Sequence, residues 1–566
     1  MQFIVKNLLS FVLLLIPALV FSQSTYLPQG NKHQALMDRL EIKLQTNPDL
    51  NLFTIKPLLR NKAVAAGLQA DSLQKTKPGF LSSVDQFNLN SLYRQNSEWY
   101  NGDPVLLKSK KPFLKHFYQT AANLVEVKEK DFFLVINPVI QQQQGAESGY
   151  KERVFLNSKG LTARGIIGNK IGFSAYITDN QERGPRFVQT RIDSADAVPG
   201  AGFYKAFKVT GKDYFDARGS IHFNATKYLN FSFGYDKQFI GNGYRSLFLS
   251  EYANSALFLK VNTRIWKFNY MNLFMELTPQ TVQISAGDKL LDKKYVAMHH
   301  LSFNATPWLN LGLFEAVVFG RKNHFDFTYL NPIMFLRVSE QQNGSADNAL
   351  VGFDFKANVA KRAQFYGQFL LDEFFLKEVR AQNGWWANKF GLQLGAKYID
   401  LFNVKNLDVH GEINLVRPFT YSHYDSVSNY THFNQPLAHP LGANFAEMIG
   451  VVRYQPFPRW TAEARLIVWK QGLDSLGVNS NYGSDIFKVN TNRPAGDYGY
   501  KIGSGIAANA VNAQLWVSYE WKENLYLEGG LLYRKQSKPV GAASVPDATV
   551  MSLGLRWNAW RRTYDY

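Results

Sequence analysis

The sequence contains no cysteine, and after its first residues it contains no long apolar run. The missing cysteine excludes a disulfide framework, a zinc site built from thiolates, a cysteine nucleophile and the lipid-modified cysteine of a lipoprotein. A membrane-spanning helix needs about 18 apolar residues in a row, and no stretch after Val20 reaches that length. If the protein is exported, it is therefore soluble, peripheral or a β-barrel.

Catalytic motifs are also missing. The chain has no His-Glu-x-x-His, no Gly-x-Ser-x-Gly, no Walker loop and no Gly-x-Gly-x-x-Gly after a strand, and we predict a protein that is not an enzyme and has no cofactor. His299 and His300 fall on one predicted strand, where neighbours point to opposite faces, so we expect no shared metal. No nucleic-acid-binding pattern is present, and we expect no nucleic-acid partner.

The N-terminus predicts export. Lys6 is followed by an apolar run from Leu8 to Val20, and Ser22 is a small residue before Gln23. This order is typical of a secretory signal peptide, so we assign residues 1–22 to it.

What the chain has instead is aromatic side chains and positive charge. Aromatic residues make up 15% of it, its formal net charge is +18, and its mean hydropathy is only −0.24. A chain that is aromatic yet polar on average fits a barrel whose strands alternate lipid-facing and water-facing residues. Lys and Arg at the rims would contact lipid and lipopolysaccharide head groups, and a basic lumen or mouth serving an acidic polymer is the alternative.

Residues 23–130 have a different pattern. Leu36, Leu40 and Leu44 recur at a helical spacing, and further helices are predicted from Pro57 towards Leu73 and over 84–99. We predict an N-terminal helical bundle with a connector on the periplasmic side. It either caps or plugs the pore, or it is an independent domain on a tether.

From Asp131 to the end, period-two alternation dominates. In the stretch 223–266, Leu229, Phe231, Phe233 and Tyr235 alternate with polar or small residues, with a tight turn before them and a long loop after them. Repeating such units predicts an all-β transmembrane barrel of about eighteen antiparallel strands over residues 131–566. Short connections belong on the periplasmic side and long loops outside.

The long loops contain the candidate binding residues, because exposed aromatic rings stack on sugar rings and nearby polar groups bond hydroxyls or carboxylates. The alternative is that these loops fold inward and close the mouth with their own aromatic cluster. Glu463 and Arg465, two apart on one lumen face, either satisfy each other or line a polar path. The candidate glycan-binding residues are Trp385, Trp386, Tyr421, His423, Tyr424, Tyr430 and Arg245.

Several segments carry a family resemblance. They are IKPLLR at 55–60, DQFNLNSLYRQNSEWY at 85–100, DFFLVINPVI at 131–140 and FGYDKQFIGNGYRSLFLSEYANSALFLKVNTRIWKFNY at 233–270. In this order the chain resembles the Wzi-like capsule-assembly outer-membrane proteins, and among them the Bacteroidetes branch that includes the gliding-motility protein RemB.

The resemblance implies a function. Wzi-like proteins are eighteen-stranded barrels with a periplasmic-side helical bundle that act as lectins for capsular polysaccharide. It implies a non-enzymatic protein of the Gram-negative outer membrane that binds or anchors surface polysaccharide, with a part in gliding or adhesion as a further option. The competing hypothesis is a porin or substrate-specific channel.

Overall fold

The computed structural model describes residues 24–282, 284–285, 287–475, 480–537, 540 and 545–566. The predicted signal peptide, residues 1–22, lies outside this part of the chain.

Eighteen antiparallel strands of the described residues form one closed barrel. The strands are β1 Phe132–Glu147, β2 Val154–Ile167, β3 Ile171–Arg183, β4 Gly211–Asn224, β5 Leu229–Asp236, β6 Ala256–Ile265, β7 Phe268–Leu277, β8 Lys294–Thr306, β9 Leu309–Phe319, β10 Asn348–Val359, β11 Ala363–Glu373, β12 Lys389–Tyr398, β13 Leu407–Val416, β14 Phe445–Phe457, β15 Trp460–Leu473, β16 Ile506–Lys522, β17 Leu525–Gln536 and β18 Ala548–Trp557.

The last strand closes the barrel on the first. In β18, Val550 to Trp557 pair with Glu147 to Ile140 of β1. A short strand, Val125–Glu129, pairs with the remaining part of β1, and Lys205–Phe207 pairs with the start of β4. The predicted transmembrane barrel of about eighteen strands is confirmed.

The barrel wall follows the alternation in the sequence. In β10, Val351 and Phe353 are 40% and 41% exposed on the outside, whereas Asp354 and Lys356 are 0% and 1% exposed inside. The apolar residues therefore form the lipid-facing surface, and the polar residues point into the lumen. Within the described residues, no helix has the length and apolar content that crossing a membrane requires.

One end of the barrel has only short turns. The repeated sequence FNAT leads into two of them, where the hydroxyl of Thr226 accepts hydrogen bonds from the main-chain N–H groups of Tyr228 and Leu229 at 3.1 Å. Thr306 accepts the same bonds from Trp308 and Leu309. The other end carries the long loops, with the helices α5 Arg186–Ala195, α6 Leu336–Gln342 and α7 Leu376–Ala381.

Four helices precede the barrel: α1 Lys32–Leu44, α2 Pro48–Asn51, α3 Arg60–Thr76 and α4 Ser83–Gln95. The predicted leucine stripe of α1 contributes to their core, since Leu36, Leu40 and Leu44 are at most 5% exposed. In α4, Ser82 and Asp85 form a reciprocal capping box that satisfies two main-chain N–H groups.

These helices lie inside the short-turn end of the barrel and contact its wall on many sides; we call residues 24–100 the plug. An independent domain on a tether would make no such set of contacts. The polar contacts join Lys32 with Glu520 and Glu523, Asp38 with Lys397, Arg39 with Asp400 and Asp408, Glu41 with Lys356, Asn88 with Gln455, and Glu98 with Arg164.

Residues 558–566 follow β18 and enter the lumen from the short-turn end, where the main-chain N–H of Asn558 donates to the carbonyl of Asn524 at 3.1 Å. Two segments enter the lumen from the loop end, residues 237–255 and residues 417–444. The first of them reaches the plug, where Phe239–Ile240 pairs with Ile55–Lys56 in a two-stranded sheet. The lumen is therefore filled from both ends by described residues.

Candidate functional site in the barrel lumen

A chamber of about 500 Å³ remains between the plug, the inward loops and residues 558–566. Ligand pockets in proteins commonly measure about 300–1,000 Å³, so the chamber has the size of a small-molecule site. Among the residues that line it are eight Lys or Arg and five Asp or Glu.

Strands β3 and β4 supply one wall. Asp216 and Arg218 are two residues apart on β4, so they share the inward face. Arg218 donates to the Asp216 carboxylate at 2.7 and 2.5 Å. Tyr176 of β3 stacks on Trp560 with ring centroids 4.1 Å apart, and the Arg218 guanidinium lies 5.2 Å from the Trp560 ring. An aromatic pair next to a bidentate ion pair makes this wall rigid.

The opposite wall belongs to β15. Arg465 donates to Glu463 at 2.8 Å, and its other nitrogen lies 3.6 Å from Asp565. Arg245 approaches the same Asp565 carboxylate at 3.4 Å and Glu447 at 3.5 Å. Glu463 and Arg465 therefore satisfy each other and also line the chamber, so both interpretations of this pair describe part of its geometry.

Residues 558–566 bring two further arginines into the lumen. Arg561 donates to Glu528 at 2.8 Å and to Ser518 at 2.9 Å. Arg562 donates to the carbonyl of Pro199 at 2.8 Å, and its Nε lies 3.4 Å from Glu182.

Two lysines in the chamber have no carboxylate partner among the described residues. The Nζ of Lys237 donates only to the carbonyl of Glu251 at 2.8 Å. Lys56 is 9% exposed, and its Nζ lies 5.0 Å above the Phe239 ring with no hydrogen-bond acceptor in the described chain.

Burial acts on both lysines, because it disfavours the charged form. It lowers the pKa of Lys56 to about 8, with Lys397 acting in the same direction. It lowers the pKa of Lys237 to about 7, where Arg218 and Arg562 add to the effect and Asp216 and Glu251 oppose it. Each lysine is therefore an ammonium group whose surroundings do not compensate its charge.

Several other hydrogen-bond donors of this chamber lack a partner. Within the described residues, no acceptor bonds Nε2 of Gln29, Nε and Nη1 of Arg465, Nε of Arg561, or Nη2 of Arg562. Buried donors are almost always satisfied in folded proteins, by protein groups, by ordered water or by a ligand.

The predicted glycan-binding residues occupy different places. Tyr421 and Tyr430 are both 1% exposed, and their rings stack with centroids 5.6 Å apart. Their hydroxyls donate to the carbonyls of Leu247 and Phe248 at 2.8 and 2.6 Å. These two tyrosines hold loop 417–444 against loop 237–255, which is the inward-folded arrangement.

The remaining predicted residues lie higher in the loops. Trp385 packs on Phe375, and the Trp386 ring lies 4.1 Å from the Arg493 guanidinium. His423 is buried beneath Tyr424, which is 56% exposed. As the structure describes the chamber, Arg245 is the one member of the predicted set that lines it.

The two neighbouring histidines are each paired with a carboxylate. His299 and Glu315 lie 2.8 Å apart, and His300 and Asp354 lie 2.7 Å apart. Among the described residues, no cluster of three or more His, Asp or Glu side chains suitable for a metal ion occurs.

Four chamber residues, Lys56, Arg218, Lys237 and Arg562, were not among the predicted site residues. One pattern does identify Arg218, because the alternation of β4 places it on the polar face. The basic pair Arg561-Arg562 directly after the last strand was a second indication. No local pattern indicates that loop 237–255 carries Lys237 inward.

Comparisons with known proteins give the fold a context. No family model matches the sequence, and no curated protein matches it. The structure is similar to that of Wzi from Escherichia coli, with a TM-score of 0.52 and 15% identity over 91% of this chain and 97% of that one. That protein is described as a carbohydrate-binding β-barrel involved in group 1 capsule assembly.

Two further solved structures match a smaller share of the chain. OprD of Pseudomonas aeruginosa has a TM-score of 0.40 and 13% identity over 76% of this chain and 95% of that one. OccAB2 of Acinetobacter baumannii has a TM-score of 0.41 and 10% identity over 75% of this chain and 97% of that one.

Proposed function

We propose that this protein is a non-enzymatic outer-membrane β-barrel that binds or anchors surface polysaccharide, such as capsule. The observation that carries the proposal is the closed lumen. The plug and loop 237–255 meet inside the barrel, where the main-chain N–H of Gly241 donates to the carbonyl of Thr54 at 2.9 Å. A barrel closed in this way is suited to binding a saccharide rather than to free diffusion through it.

The comparison with Wzi supports the same assignment, because a carbohydrate-binding barrel shares this fold over nearly the whole of both chains. Membership of the Wzi-like family, and of its Bacteroidetes branch with a part in gliding or adhesion, belongs to the proposal. So do the predicted glycan-binding role of the loop residues and the export of the chain by residues 1–22.

In the proposed orientation, residues 23–130 are on the periplasmic side and the long loops face outward among lipopolysaccharide. Short turns lie on the periplasmic side in bacterial barrels, and the plug occupies the short-turn end. Trp308, Trp460 and Trp521 are exposed beside short turns. Aromatic rings at such positions contact the lipid interface.

A binding experiment and a cell experiment test the function together. Purified protein in detergent is immobilised and exposed to polysaccharide extracted from the surface of the producing cells. We expect saturable binding that free polysaccharide competes away. Deletion of the gene should shift polysaccharide from the cells into the medium, and the intact gene supplied in trans should restore retention. Absence of binding together with unchanged retention would contradict the proposal.

The competing function is a substrate-specific channel. The polar chamber favours it, since a lumen that only had to be filled would not need a cavity of about 500 Å³. A channel would require the plug or loop 237–255 to move, and the conductance of the protein distinguishes the two functions.

A further inference from the structure

One corner of the chamber combines three cations with an open space. It is formed by Arg218 of β4, by Lys237 at the start of loop 237–255 and by Arg562 after the last strand. Gly200 lies between two of them. A Cβ atom built on Gly200 would lie 2.7 Å from Lys237 Nζ and 3.8 Å from Arg562 Nη1.

Two features of position 200 favour glycine. The backbone of Gly200 has a φ of 79°, a conformation that other residues rarely adopt. A side chain there would also occupy the gap between Lys237 and Arg562. The main-chain N–H of Gly200 is fixed by Gln435, whose side-chain oxygen accepts it at 2.9 Å. The space between the two cations is therefore held open by the local backbone.

Among the described residues no carboxylate pairs directly with the ammonium group of Lys237, although Asp236 accepts the main-chain N–H of Lys237 at 2.7 Å. The Asp216 carboxylate is already bonded twice by Arg218, and Glu251 offers Lys237 only its main-chain oxygen. The nearest carboxylate to Arg562 is Glu182, which also accepts hydrogen bonds from Tyr214 and Tyr564 at 2.5 and 2.8 Å. An ammonium group held beside two arginines without a carboxylate of its own is unfavourable, and a bound anion removes that cost.

We propose that this corner binds the carboxylate of an acidic sugar, so that the saccharide recognised by the protein carries uronic acid residues. Lys237 Nζ donates to the carboxylate, and the guanidinium groups of Arg562 and Arg218 add positive charge on either side of it. The inference rests on the proposed polysaccharide binding and names its substrate class. The volume of the chamber, about 500 Å³, suits the end of a chain and not a polymer threaded through the barrel.

The proposal has a pH consequence. The charged groups around Lys237 are Asp216 and Arg218 from β4, Asp236 at the end of β5, Glu251 from its own loop and Arg562 from the segment after β18. With its pKa at about 7 in the free protein, Lys237 takes up a proton when a carboxylate binds above that pH. Binding of an acidic sugar should therefore weaken as the pH rises from 6 to 8.5, whereas binding of a neutral sugar should not change.

The test is calorimetric titration of the full chain in detergent with trigalacturonic acid and with its methyl ester, which has the same rings without charge. We expect the acid to bind at least ten times more tightly than the ester at pH 6. Lys237→Met and Arg562→Gln should each weaken the acid about tenfold and leave the ester unchanged. Lys205→Met, at an exposed lysine outside the chamber, is the matched control.

Gly200→Ala supplies a second variant that fills the gap without removing a charge, and we expect it to abolish the preference for the acid. The melting temperature of each variant shows whether the fold is intact. Inorganic phosphate is titrated separately, and tight phosphate binding that matches the acid would overturn the assignment to a sugar.

Equal affinity for acid and ester, unaffected by Lys237→Met, would overturn the inference while leaving polysaccharide binding in place. The inference would also be overturned if neither trimer binds while the wild type and Lys237→Met bind the extracted polysaccharide equally. If neither the trimers nor the extracted polysaccharide bind, the proposed function itself is contradicted.

Discussion

Buried charged side chains are paired differently at the two ends of the lumen. At the plug end, Arg39 meets Asp85 at 2.9 Å and Asp400 at 3.0 Å, and Lys32 meets Glu520 at 2.5 Å and Glu523 at 3.0 Å. At the loop end, Lys237 faces the chamber with one main-chain oxygen as its partner. The ion pairs around Arg39 and Lys32 are therefore complete, whereas two ammonium groups that face the chamber, Lys237 and Lys56, have no carboxylate partner among the described residues.

This difference distinguishes ion pairs that stabilise the plug from cations that are available to bind a ligand. Buried ion pairs with good geometry fix the position of the groups that they join, and here they fix the plug against the wall. Cations without partners contribute no such fixation and cost free energy in the empty protein. We infer that the plug end is built for stability and that the chamber is completed by a ligand.

The largest effect should come from breaking the plug network. Asp85 is 1% exposed and accepts hydrogen bonds from Arg39 and Lys43 at 2.9 and 2.6 Å. Asp85→Ala should cost about 3–5 kcal/mol, since it removes the fully buried carboxylate that both cations share. Thermal unfolding in detergent and trypsin cleavage within residues 24–100 measure the loss.

The matched control for that variant is Asp103→Ala, whose carboxylate is exposed in the connector and which should change neither readout. The network also predicts acid sensitivity. Burial alone would raise the pKa of Asp85, but Arg39 and Lys43 outweigh it and hold the pKa well below its usual range. Its contribution to stability is therefore complete above about pH 4 and lost as the pH falls further. A plug equally protected from trypsin in Asp85→Ala would contradict this account.

The next effect concerns the contact between the two ends. Ile240 is fully buried where loop 237–255 pairs with the plug. Ile240→Ala should cost about 2–4 kcal/mol through the cavity that it leaves, and the amide of Gly241 should exchange hydrogen faster. Ile333→Ala, at a side chain that is 69% exposed, is the control. Unchanged amide exchange would show that the loop does not depend on the plug.

A smaller effect tests the aromatic residues of the loops. Tyr430→Phe removes a hydroxyl that donates to the carbonyl of Phe248, and it should cost about 1 kcal/mol by chemical unfolding. Tyr424→Phe should be neutral because that side chain is exposed. If Tyr430→Phe instead left stability intact and abolished polysaccharide binding, the residue would be part of a glycan site and not of the loop core.

The smallest effect is a pH-dependent shift of a few degrees in melting temperature. The pKa of Lys237 is about 7 when folded and returns to its usual higher value on unfolding. The unfolded chain then binds more protons above pH 7, so stability should rise between about pH 7 and pH 10. Lys237→Met should flatten that rise, and Lys205→Met should not. Identical slopes in all three proteins would exclude a strained lysine.

The sequence predicts the strands of the barrel wall far better than the segments that fill the lumen. Period-two alternation is a local property, so strands such as β10 and β12 could be placed within a residue or two. The leucine stripe of α1 is local in the same way. The alternation predicts the first strand too short, because the glutamine run that ends β1 lacks the pattern of its first half.

The contents of the lumen depend on contacts between segments far apart in the chain. Tyr421 has the composition of an exposed binding residue and is buried because loop 417–444 turns inward. The pairing of Ile55 with Ile240 joins the plug to a loop beyond the fifth strand, and no local pattern encodes it. Lys237 becomes a site residue only through that pairing, which is why the sequence pointed to the outer loops and not to the chamber.

The most direct test of the closed lumen is conductance across a planar lipid bilayer. We predict that the wild-type protein inserts without a steady ion current at moderate voltage, and that Asp85→Ala, with its plug loosened, gives brief openings. A large, stable, ohmic conductance of the wild type would contradict the account, since an open path would have to run where the plug and loop 237–255 meet.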